Sequence, residues 1–362
     1  MAANRKGWLI VALVLAAGMP ACSAGPREAQ APAKAPPGGV LLKGAGATFP
    51  APLYQQWFAA YAATHPKIAI SYEAVGSGEG IRRFLGKNVT PEERVDFGAS
   101  DAALRDEEMA AVPGGVLLLP VTAGSVVLAY NLPEAPELRL SRRAYAGIFL
   151  GEIREWNHPL IAETNPGIRL PKLTISIVVR QDGSGTTFAM TKHLDAVSER
   201  WRARYGPATL VDWPGTAMRA SGNDGVAGRI KQSIGSIGYV NYGAARKAGL
   251  AVATLQNRDG GMVHPGDASG MAALGAVQLP ENLRLFVPDP AGRDAYPILT
   301  LTWILLYRAY PEPAKAEAIR DLFRWCLMEG QQQSGALGYV SLSPTVASKA
   351  LAALQNVGPR AE

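Results

Sequence analysis

The sequence predicts an α/β fold in two domains, on three observations. The chain has 362 residues, 48% hydrophobic and 18% charged, enough for about two apolar cores at roughly 100–200 residues per domain. From residue 40 onward, segments alternating at the strand period are followed by segments with helical spacing. Their β-α-β-α-β order favours parallel pairing. Turns rich in Gly, Ser and Thr lie at the joins.

The elements follow in order. A strand is predicted over 40–43 and a helix over 50–64. A strand over 67–73 places Ile68, Ile70 and Tyr72 on one side, because strand side chains alternate between faces. A helix over 77–85 and a short strand over 95–99 complete the first set. Two apolar strands, 116–121 and 125–131, carry the chain out of the first domain. The second set has a strand over 174–180, with Ile175, Ile177 and Val179 alternating, and a helix over 186–194. A helix over 226–234, a strand over 237–241 and a helix over 242–248 follow. Last come a long apolar strand over 297–307 and an amphipathic helix over 314–328. Cys326 falls in the apolar pattern of that helix and reads as a buried, inert thiol.

Residues 1–22 read as an export signal: Arg5 and Lys6, an apolar run over 8–17, then Gly18-Met19-Pro20-Ala21-Cys22. The run is about half the roughly 20 residues that a membrane-spanning helix needs. A small residue followed by Cys22 suggests a lipidated cysteine, although Met19 and Pro20 depart from the usual lipobox; cleavage nearby, as after Ala24, is the other reading. Residues 23–40, with Pro26, Pro32, Pro36, Pro37, Gly38 and Gly39, have the composition of a tether. The mature protein is expected in the periplasm or at the cell surface, with any membrane contact made through the lipid.

Composition excludes several classes. Two cysteines cannot build a thiolate metal site, and His65, His158, His193 and His264 are scattered; no metal or cofactor is expected. The net charge is +6 and falls to +4 once Arg5 and Lys6 leave with residues 1–21. That bias is too mild and too dispersed for nucleic acid.

Three loops share one design, in which a strand ends, a small polar turn follows and a helix begins. They are Gly44-Ala-Gly-Ala-Thr-Phe-Pro50, Val75-Gly-Ser-Gly-Glu-Gly80 and Arg180-Gln-Asp-Gly-Ser-Gly-Thr-Thr187. Pro50 suits a first helical position. The first N–H groups of a helix lack partners and carry partial positive charge, so an anion is welcome there. Ordinary capping by Ser, Thr and Gly explains any one such loop equally well. Asp101, in Asp96-Phe-Gly-Ala-Ser-Asp101, has two readings. It caps a helix over 102–109, or it accepts the proton of a protonated oxyanion, since an ionised carboxylate only accepts. The neighbours of Ser184 and Ser77 lack the G-x-S-x-G nucleophile elbow, and 80–88 lacks the P-loop pattern.

The loops above, with Val95-Asp-Phe-Gly-Ala-Ser-Asp101, Ile148-Phe-Leu-Gly-Glu-Ile-Arg-Glu-Trp-Asn157, Gly222-Asn-Asp-Gly-Val226, Ile237-Gly-Tyr-Val240 and Tyr296-Pro-Ile-Leu-Thr-Leu-Thr302, form an ordered set. From about residue 41 to about 345 the chain resembles the phosphate-binding proteins of bacterial ABC-type phosphate importers, the PstS family. The resemblance implies a type II-like periplasmic binding protein with a ligand cleft between its domains. Domain I would be 41–124 plus 293–362, and domain II 125–292. It further implies that phosphate is held by Thr48, Phe49, Ser77, Asp101, Arg180, Ser184, Gly185 and Thr186. Asp182 would orient Arg180, and permease and ATPase subunits would be the partners. Non-catalytic capture of inorganic phosphate is the expected function. The alternatives are a binding protein for sulfate or molybdate, an exported hydrolase using Ser77 or Ser184, and a phosphate sensor or adhesin. Two features depart from the family: Glu79 stands where a small residue is usual, and 87–94 reads as an insertion.

Overall fold

A computed structural model describes residues 34–275 and 277–360. The predicted signal, Cys22 and the tether up to residue 33 lie outside the described residues. The first elements are β1 (Val40–Gly46), α1 (Ala51–Thr64), β2 (Ile68–Ala74), α2 (Ser77–Phe84), β3 (Phe97–Ser100) and α3 (Asp106–Ala110). They lead into β4 (Val116–Asn131), β5 (Arg139–Leu140), α4 (Arg142–Phe149) and α5 (Pro159–Ala162). Next come β6 (Ser176–Arg180), α6 (Gly185–Val197), α7 (Glu199–Arg204), β7 (Met218–Ala220), α8 (Gly222–Gln232), β8 (Ser236–Asn241) and α9 (Tyr242–Ala248). The chain continues through β9 (Ala251–Val252), β10 (Thr254–Gln256), β11 (Met262–Val263) and α10 (Asp267–Gly275). It returns through β12 (Leu299–Tyr307), β13 (Ala309–Tyr310), α11 (Pro313–Leu327), α12 (Pro344–Leu354) and β14 (Gly358–Pro359).

One sheet runs in the order β2-β1-β3-β12-β4-β8-β6-β7, with β9 also on β4. In its first half β1 pairs in parallel with β2 and β3; in its second half β6 pairs in parallel with β7 and β8. The predicted parallel order is present in both halves. The predicted strands 116–121 and 125–131 are one strand. Thr122-Ala123-Gly124 reads as a break locally, yet β12 pairs with β4 from Val116 to Ser125, and β8 takes over from Val126 to Asn131. β4 therefore belongs to both halves. The β12–β4 register shifts between Thr302 and Trp303, opposite Thr122 and Pro120. Pro120 has no N–H to give the ladder, and a bulge beside it is a usual accommodation.

Helix α1 buries Leu53, Tyr54, Trp57, Phe58 and Tyr61, a three- and four-residue spacing that keeps one face on the sheet. Pro50 immediately precedes α1 instead of occupying its first position. Helix α11 buries Ile319, Leu322, Phe323 and Cys326 in the same way, and the Cys326 thiol is sealed in the core as expected. No described helix is long and apolar enough to cross a membrane.

Candidate anion site between the sheet halves

The loops at the C-terminal ends of β1, β3 and β6 meet. Direct bonds join the two halves. Gly78 N donates to Gly183 O at 2.9 Å, and no side chain separates the two backbones. Asn223, at the start of α8, donates through its Nδ2 to Thr48 Oγ1 at 2.9 Å and to Thr186 Oγ1 at 3.2 Å. Gly185 lies against the other half so closely that a Cβ there would sit 2.6 Å from Ser77 Oγ and from Asp101 Cβ. Thr48, Ser77, Asp101, Arg180, Gly185 and Thr186 are thus brought to one place from four stretches of chain.

Each position has a local cause. Ser184 is the N-cap of α6, its Oγ accepting from Thr187 N at 3.1 Å. A hydroxyl that accepts a cap bond still has its own hydrogen to give. Among the described residues, the backbone N–H groups of Phe49, Gly185 and Thr186 take no protein acceptor; the last two are first-turn donors, which a helix cannot satisfy internally. The Phe49 ring packs edge-on against Tyr339, and its carbonyl accepts from Tyr339 Oη at 2.6 Å and from Asn241 Nδ2 at 3.2 Å. These bonds hold the Phe49 peptide in place.

Arg180 is buried to 2% exposure. Its Nε donates to Asp182 Oδ1 at 2.7 Å, and its Nη2 also bonds Asp182. Asp182 Oδ1 accepts from Gly222 N as well. Burial alone would raise the Asp182 carboxyl; the Arg180 guanidinium overrides it and holds the carboxyl below its ordinary range. The fork is thereby held in one orientation with its charge partly compensated, while Nη1 keeps its hydrogens free of any described protein acceptor.

Asp101 is fully buried and caps nothing, because α3 begins only at Asp106 with Arg105 as its N-cap. Asp101 Oδ1 accepts from Thr302 Oγ1 at 2.7 Å, and Asp101 N donates to Ser77 Oγ at 3.2 Å. Burial pushes the carboxyl up to about 7, against the lowering effects of the Thr302 bond and the Arg180 charge. Thr302 faces the bulge in β4, where Val121 is the extra residue between the partners of Thr302 and Trp303, and bulges are commonly found beside sites, where they adjust side-chain direction. The arrangement therefore offers neutral donors, one half-compensated cation and one carboxylate able to take or give a proton near neutrality. Neither Ser77 nor Ser184 is bonded to a histidine among the described residues; His193 is buried elsewhere, between Tyr145 and Pro288.

Residues 26–330 match the family model of the PBP superfamily domain. The chain is 36% identical over 312 residues to the phosphate-binding protein PstS of Pasteurella multocida, covering 85% of this chain and 88% of that protein. It is 38% identical over 312 residues to the PstS of Xylella fastidiosa strain Temecula1, covering 85% and 83%. The chain belongs to the PstS phosphate-binding protein family. Among solved structures, it is similar in fold to a high-affinity periplasmic phosphate-binding protein bound with phosphate, with a TM-score of 0.73 at 24% identity, covering 86% of this chain and 93% of that one. A phosphate-binding protein from Stenotrophomonas maltophilia matches with a TM-score of 0.71 at 20% identity and the same coverages.

The family departure at Glu79 has a structural answer. Its carboxylate turns to Arg82, with bonds of 2.7 Å to Nε and Nη2, and to Arg83 Nε at 2.8 Å. The Arg82 hydrogen bonds chiefly hold the Glu79 carboxyl down at about 2. Its charge is thus neutralised by two arginines. The 87–94 segment is tied to the same cluster, through Glu93 to Arg82 and Asn88 O to Arg82 Nη1. Sequence reasoning did not assign Thr302, Asn223 or Asn241 to the site. The first two stood inside quoted family motifs, and that was the available signal.

Proposed function

We propose that this protein captures inorganic phosphate between the two halves of its sheet and delivers it to an ABC-type importer, without catalysis. The observation that carries this reading is the convergence of a buried, Asp182-oriented Arg180 with unpaired backbone donors and a buried Asp101 near neutrality. Phosphate would be held by Thr48 Oγ1, the N–H groups of Phe49, Gly185 and Thr186, the Ser77, Ser184 and Thr186 hydroxyls, and Arg180, with Asp101 on its hydrogen. Sulfate and molybdate fit less well, because fully ionised they bring no hydrogen for the carboxylate.

In this reading domain I is 41–124 plus 293–362, and domain II is 125–292. The crossings are Gly124–Ser125 within β4 and the segment before β12; the separate strand pairing on either side of them supports it. Each side brings only part of the donor set, so closure by a hinge would complete the site and strengthen its bonds by expelling water. Permease and ATPase subunits would receive the closed form. The test is calorimetric titration of the purified protein with phosphate and sulfate. Phosphate should bind one site and sulfate far more weakly, and Arg180→Ala should weaken phosphate at least tenfold, about 1.4 kcal/mol. No phosphate binding, or unchanged affinity in Arg180→Ala, would place the site elsewhere.

Export and anchoring through a lipid on Cys22 complete the proposal, supported by the basic, apolar and small-residue order of 1–22. The intact mass of membrane-extracted protein should include acyl chains on a chain starting at Cys22. An unmodified mass would remove the anchor.

A further inference from the structure

We infer that Asn223 is a positioning residue that sets the direction of the hydrogen bonds given by two threonines, one on each side of the cleft, and thereby latches the closed form. The inference rests on the phosphate reading of the site. Asn223 is 2% exposed. Its Oδ1 accepts from Asn241 N at 3.0 Å. A backbone N–H can only donate, so the amide orientation is determined, with Nδ2 toward the threonines. One Nδ2 hydrogen meets Thr48 Oγ1 at 2.9 Å and the other Thr186 Oγ1 at 3.2 Å. Asn223 N adds a second, longer bond to Thr48 Oγ1 at 3.3 Å.

The consequence lies in what remains to each hydroxyl. A hydroxyl has two acceptor positions and one hydrogen. Thr48 Oγ1 already accepts twice from Asn223, so its hydrogen must be given to something else, and an oxyanion is a pure acceptor. Thr186 Oγ1 accepts once and is biased the same way. Asn223 thus turns two rotatable hydroxyls into oriented donors before the ligand arrives. Such preorganisation avoids an ordering cost at the moment of binding. Thr48 belongs to the loop after β1, whereas Asn223 and Thr186 open α8 and α6. The Thr48 bonds consequently exist only when the halves are together, and their loss should appear mainly in dissociation. Asn241 works beside it, its Nδ2 holding the Phe49 carbonyl.

The experiment is a double-mutant cycle read by phosphate calorimetry and stopped-flow dissociation, with circular dichroism and thermal melts as folding checks. Wild type, Asn223→Ala, Asn223→Asp, Thr48→Val and the Asn223→Asp/Thr48→Val double variant are compared. Asn223→Ala should weaken phosphate at least tenfold, chiefly through faster dissociation. Asn223→Asp keeps the shape but offers only acceptors, so the Thr48 hydroxyl turns toward it and should weaken binding further. Thr48→Val should then cost about tenfold in the wild-type background and less than threefold beside Asn223→Asp. If Asn223→Ala does not fold, the nearly isosteric Asn223→Asp carries the same test. Wild-type binding with unchanged dissociation in the Asn223 variants, or losses that simply multiply, would overturn the role of Asn223 alone. A wild-type protein that does not bind phosphate would overturn the site reading beneath it.

Discussion

Gly185→Ala should fold normally and bind phosphate at least a hundredfold more weakly, about 2.7 kcal/mol. Gly185 opens α6 and has no left-handed backbone requirement, so alanine suits its conformation and favours the helix. The obstacle is across the cleft. A Cβ at 185 would meet Ser77 Oγ at 2.6 Å, Asp101 Cβ at 2.6 Å and Asp101 Oδ2 at 2.7 Å. Ser77 and Asp101 are themselves buried and bonded to each other, and cannot retreat. The clash disappears if the halves separate, which leaves each half's packing intact but removes the binding-competent state. Apparent affinity falls by the fraction of that state lost. Phosphate calorimetry together with an unshifted thermal melt is the measurement. Wild-type affinity in Gly185→Ala would mean that binding does not need this closed arrangement.

Asp101→Asn should collapse the discrimination between phosphate and sulfate by at least tenfold, about 1.4 kcal/mol. In the wild type the ratio itself should depend on pH. Burial raises the carboxyl to about 7. Above that value Asp101 is ionised, and in the proposed reading it would accept the hydrogen of phosphate and repel the oxygens of sulfate. Below it Asp101 carries its own hydrogen and can give it to a sulfate oxygen, so selectivity should shrink as pH falls. An asparagine amide has hydrogens at every pH, and the variant should show no such profile. Stability follows the same shift. Because the folded value lies above the ordinary carboxylate one, the ligand-free protein gains from Asp101 at low pH and loses that gain as pH rises to about 7. Asp101→Asn should remove this slope. Titrations with both anions at pH 5.5, 7 and 8.5, beside melts over the same range, test both statements. A pH-independent ratio shared by wild type and variant would exclude Asp101 as the proton acceptor.

How far these features were legible depends on the range of the interaction involved. The Arg180–Asp182 pair is two residues apart in one loop, and the expectation that Asp182 orients Arg180 came from the family resemblance carried by that loop. The strand, turn and helix order of the three loops followed from periodicity and small residues, and the α/β class with them. Asp101 was ambiguous, because a helix cap and a proton acceptor look alike beside Ala102; the late start of α3 at Asp106 decides against the cap. The long β4 looked like two strands because Thr122-Ala123-Gly124 has weak strand character. Its continuity comes from ladders to β12 and β8, partners remote in the chain.

The order of elements, the donor-rich turns and the identity of the charged groups are properties of short stretches of chain, and those stretches alone specify them. Convergence is not such a property. Asn223 reaches Thr48 across 175 positions, and Thr302 reaches Asp101 across 201. Sheet register, one bulge and the contact between two backbones at Gly78 and Gly183 place those atoms together, and each is a long-range packing outcome that no local pattern encodes.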